Sequence, residues 1–323
     1  MIGSQLGMGI EEDLCILVMG QSNADGRCTA NRLANTSFNY KGIATGYPAA
    51  RTTQDQYPYV SGNPTPGLKV YFKTAFASAD QSLDNGAWCD YEIGLNNGHF
   101  GSGTAQIIGP EFSMGVKLND LTGKDIYIIK CAYAGTALTS TITPTNPPGI
   151  WNNTNRFIAM EYFVDRAVRD YKAANPGRRL RLLGVVWWQG ENDANAGIST
   201  ATYTSQFNSF KAYVEGELYG HFVLPKGKEP IWNLVKLNFY QDAAEGLINT
   251  ALSNIVAANP GFYLVDSTPY PQCQDLTVGE ASPIAVGTPN SVGGSDDAHS
   301  SYIAQLAVGE LCAQNVIDAG LLA

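Results

Sequence analysis

Short runs of apolar residues alternate with longer segments in which apolar side chains recur every three or four positions. Five of these runs predict buried strands, at about 14–19, 125–131, 181–188, 231–237 and 262–265. Continuous runs rich in Val, Ile and Leu are typical of parallel strands that are covered on both faces. The segments between the runs have helical periodicity. The pattern therefore predicts an α/β fold, a doubly wound parallel sheet with right-handed crossovers.

The helices are predicted from their start signals and their periodicity. Pro110 with Glu111 beside it makes a favourable first helical turn. Predicted helices cover about 110–120, 155–174, 203–217, 241–258 and 301–315. No repeat, linker or low-complexity segment separates these elements, so we expect a single domain over residues 1–323.

A long insertion at about 28–108 interrupts the regular pattern. It is rich in Gly, Asn and Tyr and has little periodicity, apart from a short candidate strand at 68–72. Long irregular segments inside a domain are usually functional. We interpret this region as a substrate-facing insertion, with a separate second domain built from residues 23–108 as the alternative.

Composition and charge exclude some partners. The chain has 323 residues, with 20 basic and 29 acidic side chains and a net charge of −9. This balance, without a Lys/Arg cluster, argues against a nucleic-acid partner and against an anionic membrane. No apolar run reaches the roughly 18 residues of a membrane span, and no signal peptide is visible at the N-terminus. The abundance of Asn, Thr, Ser, Gly and Tyr favours a secreted or virion-associated protein; the oligomeric state is not indicated.

Cysteine spacing and nucleotide motifs give no sign of a cofactor. The six cysteines form no CxxC pair, and no P-loop, G-x-G-x-x-G or H-E-x-x-H motif occurs. We therefore predict neither a metal nor an organic cofactor. Cys15 and Cys131 fall in predicted core strands, where a thiol behaves as a small hydrophobe. Cys28, Cys89 and Cys273 fall in loop-like stretches that could include a disulfide.

Three residue types needed for acyl transfer lie at a predicted strand end and in the last loop. Ser22 follows the first predicted strand, and Asp296 and His299 lie three positions apart in the last loop. Such chemistry needs a nucleophile, a base and an acid that orients the base. We predict Ser22, His299 and Asp296 in these roles. The competing histidines fit less well, because His99 has no acid at close spacing and His221 lies between a helix and a strand.

Donors for a developing oxyanion follow the second and third strands. The backbone N–H groups of Ser22 and Gly135 and a side-chain amide of Gln189 or Asn192 are the candidates. Each has an ordinary explanation by itself, since glycines form turns and polar loops cap helices. Their common position beyond the strand ends is what favours a site, because ligands of open α/β sheets bind there.

Four short blocks together resemble a known superfamily. Gly20-Gln21-Ser22-Asn23, Gly135-Thr136, Trp188-Gln189-Gly190-Glu191 and Asp296-x-x-His299 are similar to the blocks of SGNH (GDSL-like) hydrolases. Within these, the blocks most resemble the sialate O-acetylesterase / carbohydrate esterase family 6 group. The resemblance implies a three-layer, five-stranded sheet of flavodoxin-like order 2-1-3-4-5. It also implies a Ser/His/Asp triad without metal and the removal of acetyl groups from sugars.

The block after the third strand fits two patterns. Gly190-x-Asn192-Asp193 matches the general superfamily motif, whereas Trp188-Gln189-Gly190-Glu191 matches the esterase group. We expect Gln189 to donate to the oxyanion and Asn192 to cap a helix, with the opposite assignment open. Gln21 and Glu191 are expected to brace the site or contact substrate. Arg27 is either a substrate contact or a structural ion-pair partner.

The sequence thus predicts a serine esterase that removes O-acetyl groups from an acetylated carbohydrate, either a polysaccharide or a sialic acid. A lipid or aryl esterase is one alternative, although the Tyr- and Asn-rich insertion suits sugars better than acyl chains. A catalytically silent carbohydrate-binding or virion-adhesin module is the other. The presence of Ser22, Asp296 and His299 together favours an enzyme.

Overall fold

The computed structural model describes residues 11–26, 28–29, 65–73, 86–91, 107–132, 135–139, 154–238, 242–270, 300 and 302–322. Within them the strands are β1 (Glu11–Gly20), β2 (Cys28–Thr29), β3 (Leu68–Lys73), β4 (Gly86–Asp90), β5 (Ile107–Ile108), β6 (Ile126–Ala132), β7 (Arg178–Trp188), β8 (Ile231–Val235) and β9 (Phe262–Val265). The helices are α1 (Ser22–Asp25), α2 (Pro110–Thr122), α3 (Thr154–Ala174), α4 (Glu191–Asn195), α5 (Thr200–Tyr213), α6 (Asp242–Ala258) and α7 (Tyr302–Asp318). A π-helical turn (Val214–Leu218) and a 3₁₀ turn (Tyr219–His221) continue α5.

The main sheet has the order β4-β3-β6-β1-β7-β8-β9. All neighbouring pairs are parallel except β3 and β4, which are antiparallel. The five predicted strands correspond to β1, β6, β7, β8 and β9, and their order 2-1-3-4-5 is confirmed. The expected number of strands is wrong, because this sheet has seven strands.

The two additional strands come from the insertion. β3 confirms the short strand expected at 68–72, and it pairs with β6. β4 was not predicted, because its five residues contain no alternating apolar pattern and lie in a Gly- and Asn-rich context. It is held by pairing with β3 at the sheet edge. Cys89 therefore lies in a strand rather than in a loop; Cys273 lies outside the described residues.

Helices cover both faces of the sheet. α2 and α7 pack against each other on one face, while α3, α5 and α6 form the layer on the other. The side chains between these layers are almost all apolar and buried, including Trp187, Trp188 and Trp232. In the part of the chain that the structure describes, none of the helices combines the length and apolar character that a membrane crossing needs.

Charged residues lengthen β1 beyond its apolar run. Glu11 and Asp13 precede the predicted strand, yet they pair in register with the beginning of β7. Arg178 donates from Nε to the Asp13 carboxylate at 2.7 Å and also contacts Glu11. Its guanidinium holds the pKa of Asp13 below the ordinary value despite partial burial. The ion pairs thus extend the central strand pair at the end away from the candidate site.

Candidate active site

The last paired row of the central strands fixes where the candidate residues lie. Gly20 pairs with Ala132 of β6 on one side and with Trp188 of β7 on the other. Ser22, Gly135 and Gln189 follow these three residues by only two, three and one positions. The structure therefore brings the three loops together at the carboxyl edge of the sheet, where ligands bind in open α/β folds.

Ser22 begins a single helical turn that leaves β1 abruptly. The turn is fastened to β7, because the Gln21 N–H donates to the Trp188 carbonyl at 3.0 Å. Gly20 makes this possible with φ 140, and a Cβ there would collide with the same carbonyl oxygen. Ser22 is 7% exposed and follows Gln21 at the head of α1. The side chain is thus held by a rigid turn at the end of the central strand.

The carboxylate of Glu191 joins both neighbours of Ser22. Its oxygens accept hydrogen bonds from Gln21 Nε2 and from Asn23 Nδ2. Burial raises the pKa of Glu191 to about 7, although the Asn23 hydrogen bond acts in the opposite direction. These contacts connect the turn that carries Ser22 to the first turn of α4. The bracing function expected of Glu191 and Gln21 stays a prediction.

A second buried carboxylate, that of Asp193, connects the other two loops. It accepts from Gln189 Nε2 at 2.6 Å and from the backbone N–H groups of Leu138 and Thr139 at 2.9 and 3.0 Å. Desolvation raises its pKa above the ordinary value. The sequence analysis missed this residue as part of the site. Its position in the polar block that follows β7 was the available signal.

The two candidate amides differ in their surroundings. Gln189 is 0% exposed, and its Nε2 lies 3.4 Å from the Thr136 carbonyl in addition to its bond with Asp193. Tyr203 donates to both oxygens of Gln189 at 3.0 Å, which fixes the amide orientation. Asn192 is half-buried and occupies the second position of α4. The N-cap is Gly190, so the expected capping role of Asn192 is wrong.

A buried ion pair supports the end of α1. Lys130 Nζ donates to the Asp25 carbonyl at 2.8 Å and to Glu111 Oε1 at 2.7 Å. Tyr91 adds a hydrogen bond to the same Glu111 oxygen at 3.2 Å. The Lys130 and Glu111 side chains are 2% and 0% exposed. An isolated lysine within an apolar strand is the sequence signal for this support.

The C-terminal part of the chain returns to the residue after Ser22. The backbone N–H of Ser300 donates to Asn23 Oδ1 at 2.9 Å, and Gln305 Nε2 donates to the Asn23 carbonyl at 3.1 Å. His299, one position before Ser300, lies outside the described residues, as do Asp296, Arg27 and His99. Their assignments stay predictions.

His221 lies far from this edge of the sheet. It ends the helical segment that returns from the carboxyl edge, and the nearby Val223 bridges to Arg181 near the start of β7. Its Nδ1 lies 3.5 Å from Asp165 on α3. Among the described residues, no three His, Cys, Asp or Glu side chains are grouped closely enough to hold a metal ion.

Comparison with known proteins identifies the family. The sequence profile described as "Carbohydrate esterase, sialic acid-specific acetylesterase" matches residues 12–225, which include Ser22, Gly135 and Gln189. No curated protein sequence matches the chain. Among solved structures, NanS superposes with a TM-score of 0.58 at 13% identity, over 96% of this chain and 97% of NanS. A protein from Arabidopsis thaliana superposes with a TM-score of 0.55 at 14% identity, over 95% of this chain and 98% of its own. These likenesses agree in fold, and the profile match shows that the chain belongs to the sialic acid-specific acetylesterase family of carbohydrate esterases.

Proposed function

We propose that this carbohydrate esterase is a serine O-acetylesterase that acts on an acetylated carbohydrate through an acyl-enzyme intermediate. The observation that carries the proposal is the pair of buried carboxylates. Glu191 fastens both neighbours of Ser22, and Asp193 fastens Gln189 to the loop that contains Gly135. A nucleophile and its oxyanion donors gain most when they are held in place before the substrate binds.

In the first step, Ser22 Oγ attacks the acetyl carbonyl carbon while His299 takes the hydroxyl proton. The carbonyl oxygen becomes an oxyanion, for which we propose the backbone N–H groups of Ser22 and Gly135 and the amide of Gln189 as donors. Collapse breaks the bond to the sugar oxygen, which receives the proton from His299 and leaves as an alcohol. Asp296 orients the His299 ring throughout.

In the second step, water attacks the acetyl-Ser22 carbonyl and gives its proton to His299. The same donors stabilise the second oxyanion. Acetate leaves as Ser22 recovers its proton from His299. The proximity of Ser300 to Asn23 supports His299 as the base, because the chain neighbour of His299 is bonded to the chain neighbour of Ser22.

Gln189 is our proposed side-chain donor for a geometric reason. Its Nε2 carries two protons, and Asp193 takes one through a short hydrogen bond of 2.6 Å. Within the part of the chain that the structure describes, the other proton meets only the Thr136 carbonyl, at 3.4 Å, the outer limit of a hydrogen bond. A developing oxyanion beside Gly135 can replace this weak contact at small cost.

Hydrolysis of p-nitrophenyl acetate by three variants tests the mechanism. Ser22→Ala and His299→Ala should each lower kcat by about 10⁴- to 10⁶-fold, since the two residues act as a unit. His221→Ala is the matched control, and it should retain activity because this histidine lies at the other end of the strands. A serine-directed phosphonate should label the wild type and spare Ser22→Ala.

The same experiment separates the alternatives. Loss of activity in His221→Ala but not in His299→Ala would reject the proposed base. No hydrolysis and no labelling of the wild type would instead favour a carbohydrate-binding module without catalysis. The substrate class is tested by measuring acetate released from acetylated xylan, O-acetylated sialic acids and O-acetylated bacterial O-antigen. Preference for long-chain or aryl esters over all three would identify a lipid or aryl esterase.

A further inference from the structure

A second concave site lies at the opposite edge of the sheet from Ser22. A cavity of about 280 Å³ opens beside the first residues of β3 and β6 and the end of α3. Its walls include the rings of Trp88 and Tyr127, and the buried Tyr171 adjoins them. Because Tyr127 is five residues before the end of β6, the cavity is roughly 17 Å along the strand from the catalytic edge. It is therefore separate from the esterase centre.

The two partly exposed aromatic walls are held in fixed positions. Trp88 and Tyr127 meet edge to face at 5.2 Å between ring centroids, and Tyr127 meets Tyr171 in the same way at 4.9 Å. Trp88 Nε1 donates to the Ala167 carbonyl at 2.8 Å, which fixes the indole against α3. Trp88 and Tyr127 are partly exposed. Rings ordered in advance can bind a ligand without a further loss of side-chain entropy.

Polar groups surround the aromatic walls and carry both donors and acceptors. Lys69 and Asp90 form an ion pair at the rim and are 34% and 49% exposed. Asn175 also lines the cavity, and its Nδ2 donates to the Tyr171 carbonyl at 2.9 Å. The ammonium and the carboxylate cancel each other, so the cavity favours neither an anion nor a cation. A neutral ligand rich in hydroxyl groups matches this set of partners.

We propose that this cavity binds one sugar unit of a neutral carbohydrate chain. The apolar C–H face of a sugar ring can pack on the aromatic walls, while its hydroxyl groups meet Lys69, Asp90 and Asn175. Small-ligand sites combine apolar walls with a few polar groups that fix orientation in this way. The volume is at the lower limit for such sites, which restricts the occupant to a single ring. This inference does not depend on catalysis by Ser22.

Direct binding to the 323-residue chain tests the proposal. The probes are xylotriose, cellotriose and chitotriose, observed by saturation-transfer NMR and titrated by calorimetry. Trp88→Ala removes one of the aromatic walls and should weaken binding of the preferred probe by about tenfold or more. A tenfold change in affinity corresponds to about 1.4 kcal/mol of binding free energy. Asn175→Ala and Asp90→Ala should also weaken it. Tyr162→Ala is the matched control, because this 43% exposed ring lies on the same helix as Tyr171 but outside the cavity.

Two features keep the test independent of folding and of the esterase proposal. Asp90 and Asn175 are rim residues, so their variants report on binding even if Trp88→Ala unfolds. Protein labelled at Ser22 by a phosphonate should bind the probe with the same affinity as unlabelled protein. If no label forms, the esterase proposal fails, and the unlabelled protein should still bind the probe. Unchanged affinity in all the cavity variants would overturn the proposal, and so would the absence of binding by all three probes.

Discussion

At the scale of single residues, the two buried carboxylates of α4 lower the stability of the folded protein. Glu191 and Asp193 are both buried, and neither has a cationic partner among its described hydrogen bonds. Hydrogen bonds from neutral donors compensate their desolvation only in part, so both pKa values stay raised. A protein tolerates such a loss of folding stability at a functional site, where the positions of the side chains matter more than stability. The positions of both residues, between the strand-end loops, agree with that explanation.

The first prediction concerns the pH dependence of stability through Glu191. Its pKa rises from the ordinary 4.5 to about 7 in the folded protein, so the native state binds this proton more tightly than the unfolded chain. The free energy of unfolding must therefore fall as pH rises from about 4.5 to about 7. Glu191→Gln should lack this decrease. Urea unfolding of both proteins across this pH range measures the difference.

Activity gives a second readout for the same variant. Only the ionised Glu191 accepts from both Gln21 and Asn23, so a carboxamide must lose one of the two hydrogen bonds. We expect Glu191→Gln to lower kcat by about tenfold to 10²-fold with little change in KM, because the nucleophile is displaced. Glu217→Gln, at an exposed position, is the control for both measurements. An unchanged pH slope in Glu191→Gln would contradict the prediction.

A second prediction distinguishes the two amides after β7. Gln189→Ala should lower kcat by about 10²–10³ with little change in KM, as expected for a lost oxyanion donor. Asn192→Ala should retain nearly full activity and change stability by less than about 0.5 kcal/mol, since Asn192 does not cap α4. Steady-state kinetics and melting temperatures of both variants provide the measurement. Catalytic collapse in Asn192→Ala with normal activity in Gln189→Ala would reverse the assignment.

Residue identities indicated the candidate site residues better than the residues that support them. Ser22 and Gln189 follow recognisable strand ends, so sequence position alone predicted where they lie. Asp193 and Lys130 were missed in part because they also bind backbone groups, namely the N–H groups of Leu138 and Thr139 and the carbonyl of Asp25. Backbone partners leave no signature in side-chain identity. Three-dimensional register is needed to find them.

At the element level, the central strands were predictable because they are buried on both faces. Such strands are continuous apolar runs, and β6 and β9 lie within one residue of their predicted bounds. The hairpin of β3 and β4 differs because its second strand is short and lies at an edge. Its stability comes from pairing and from packing of Trp88 on α3, which no local pattern encodes.

The third prediction concerns the close approach of β1 and β7 at Gly20. A methyl group there would collide with the Trp188 carbonyl, and φ 140 is unfavourable for any side chain. Gly20→Ala should cost at least about 2 kcal/mol of unfolding free energy and displace the Ser22 turn. Chemical denaturation and p-nitrophenyl acetate turnover measure both effects. Gly220→Ala is the control, because a Cβ at that position meets no neighbour. Equal stability of the two variants would contradict this account.

At the scale of the whole molecule, the strand order came from the resemblance and not from hydrophobic periodicity. Periodicity indicates which segments are strands, whereas order depends on how the crossovers pass over the sheet. The structure also changes the interpretation of the insertion. Of its described parts, 65–73 and 86–91 belong largely to the main sheet, and 28–29 and 107–108 pair as the two-stranded sheet of β2 and β5. The substrate-facing interpretation stays a prediction for the other parts of 28–108.

The last prediction tests this structural role with Tyr91. Its ring is 1% exposed and stacks on Phe112 of α2 at 5.7 Å, and its hydroxyl donates to Glu111. Tyr91→Ala should cost about 3–5 kcal/mol as a large core truncation. Tyr91→Phe keeps the ring and should cost only about 1 kcal/mol for the hydrogen bond. Because Tyr91 supports the fold, turnover of p-nitrophenyl acetate and of the acetylated polymer should fall by the same factor in Tyr91→Ala.

A loss of turnover confined to the polymer, with an unchanged melting temperature, would instead mean that this part of the insertion contacts substrate.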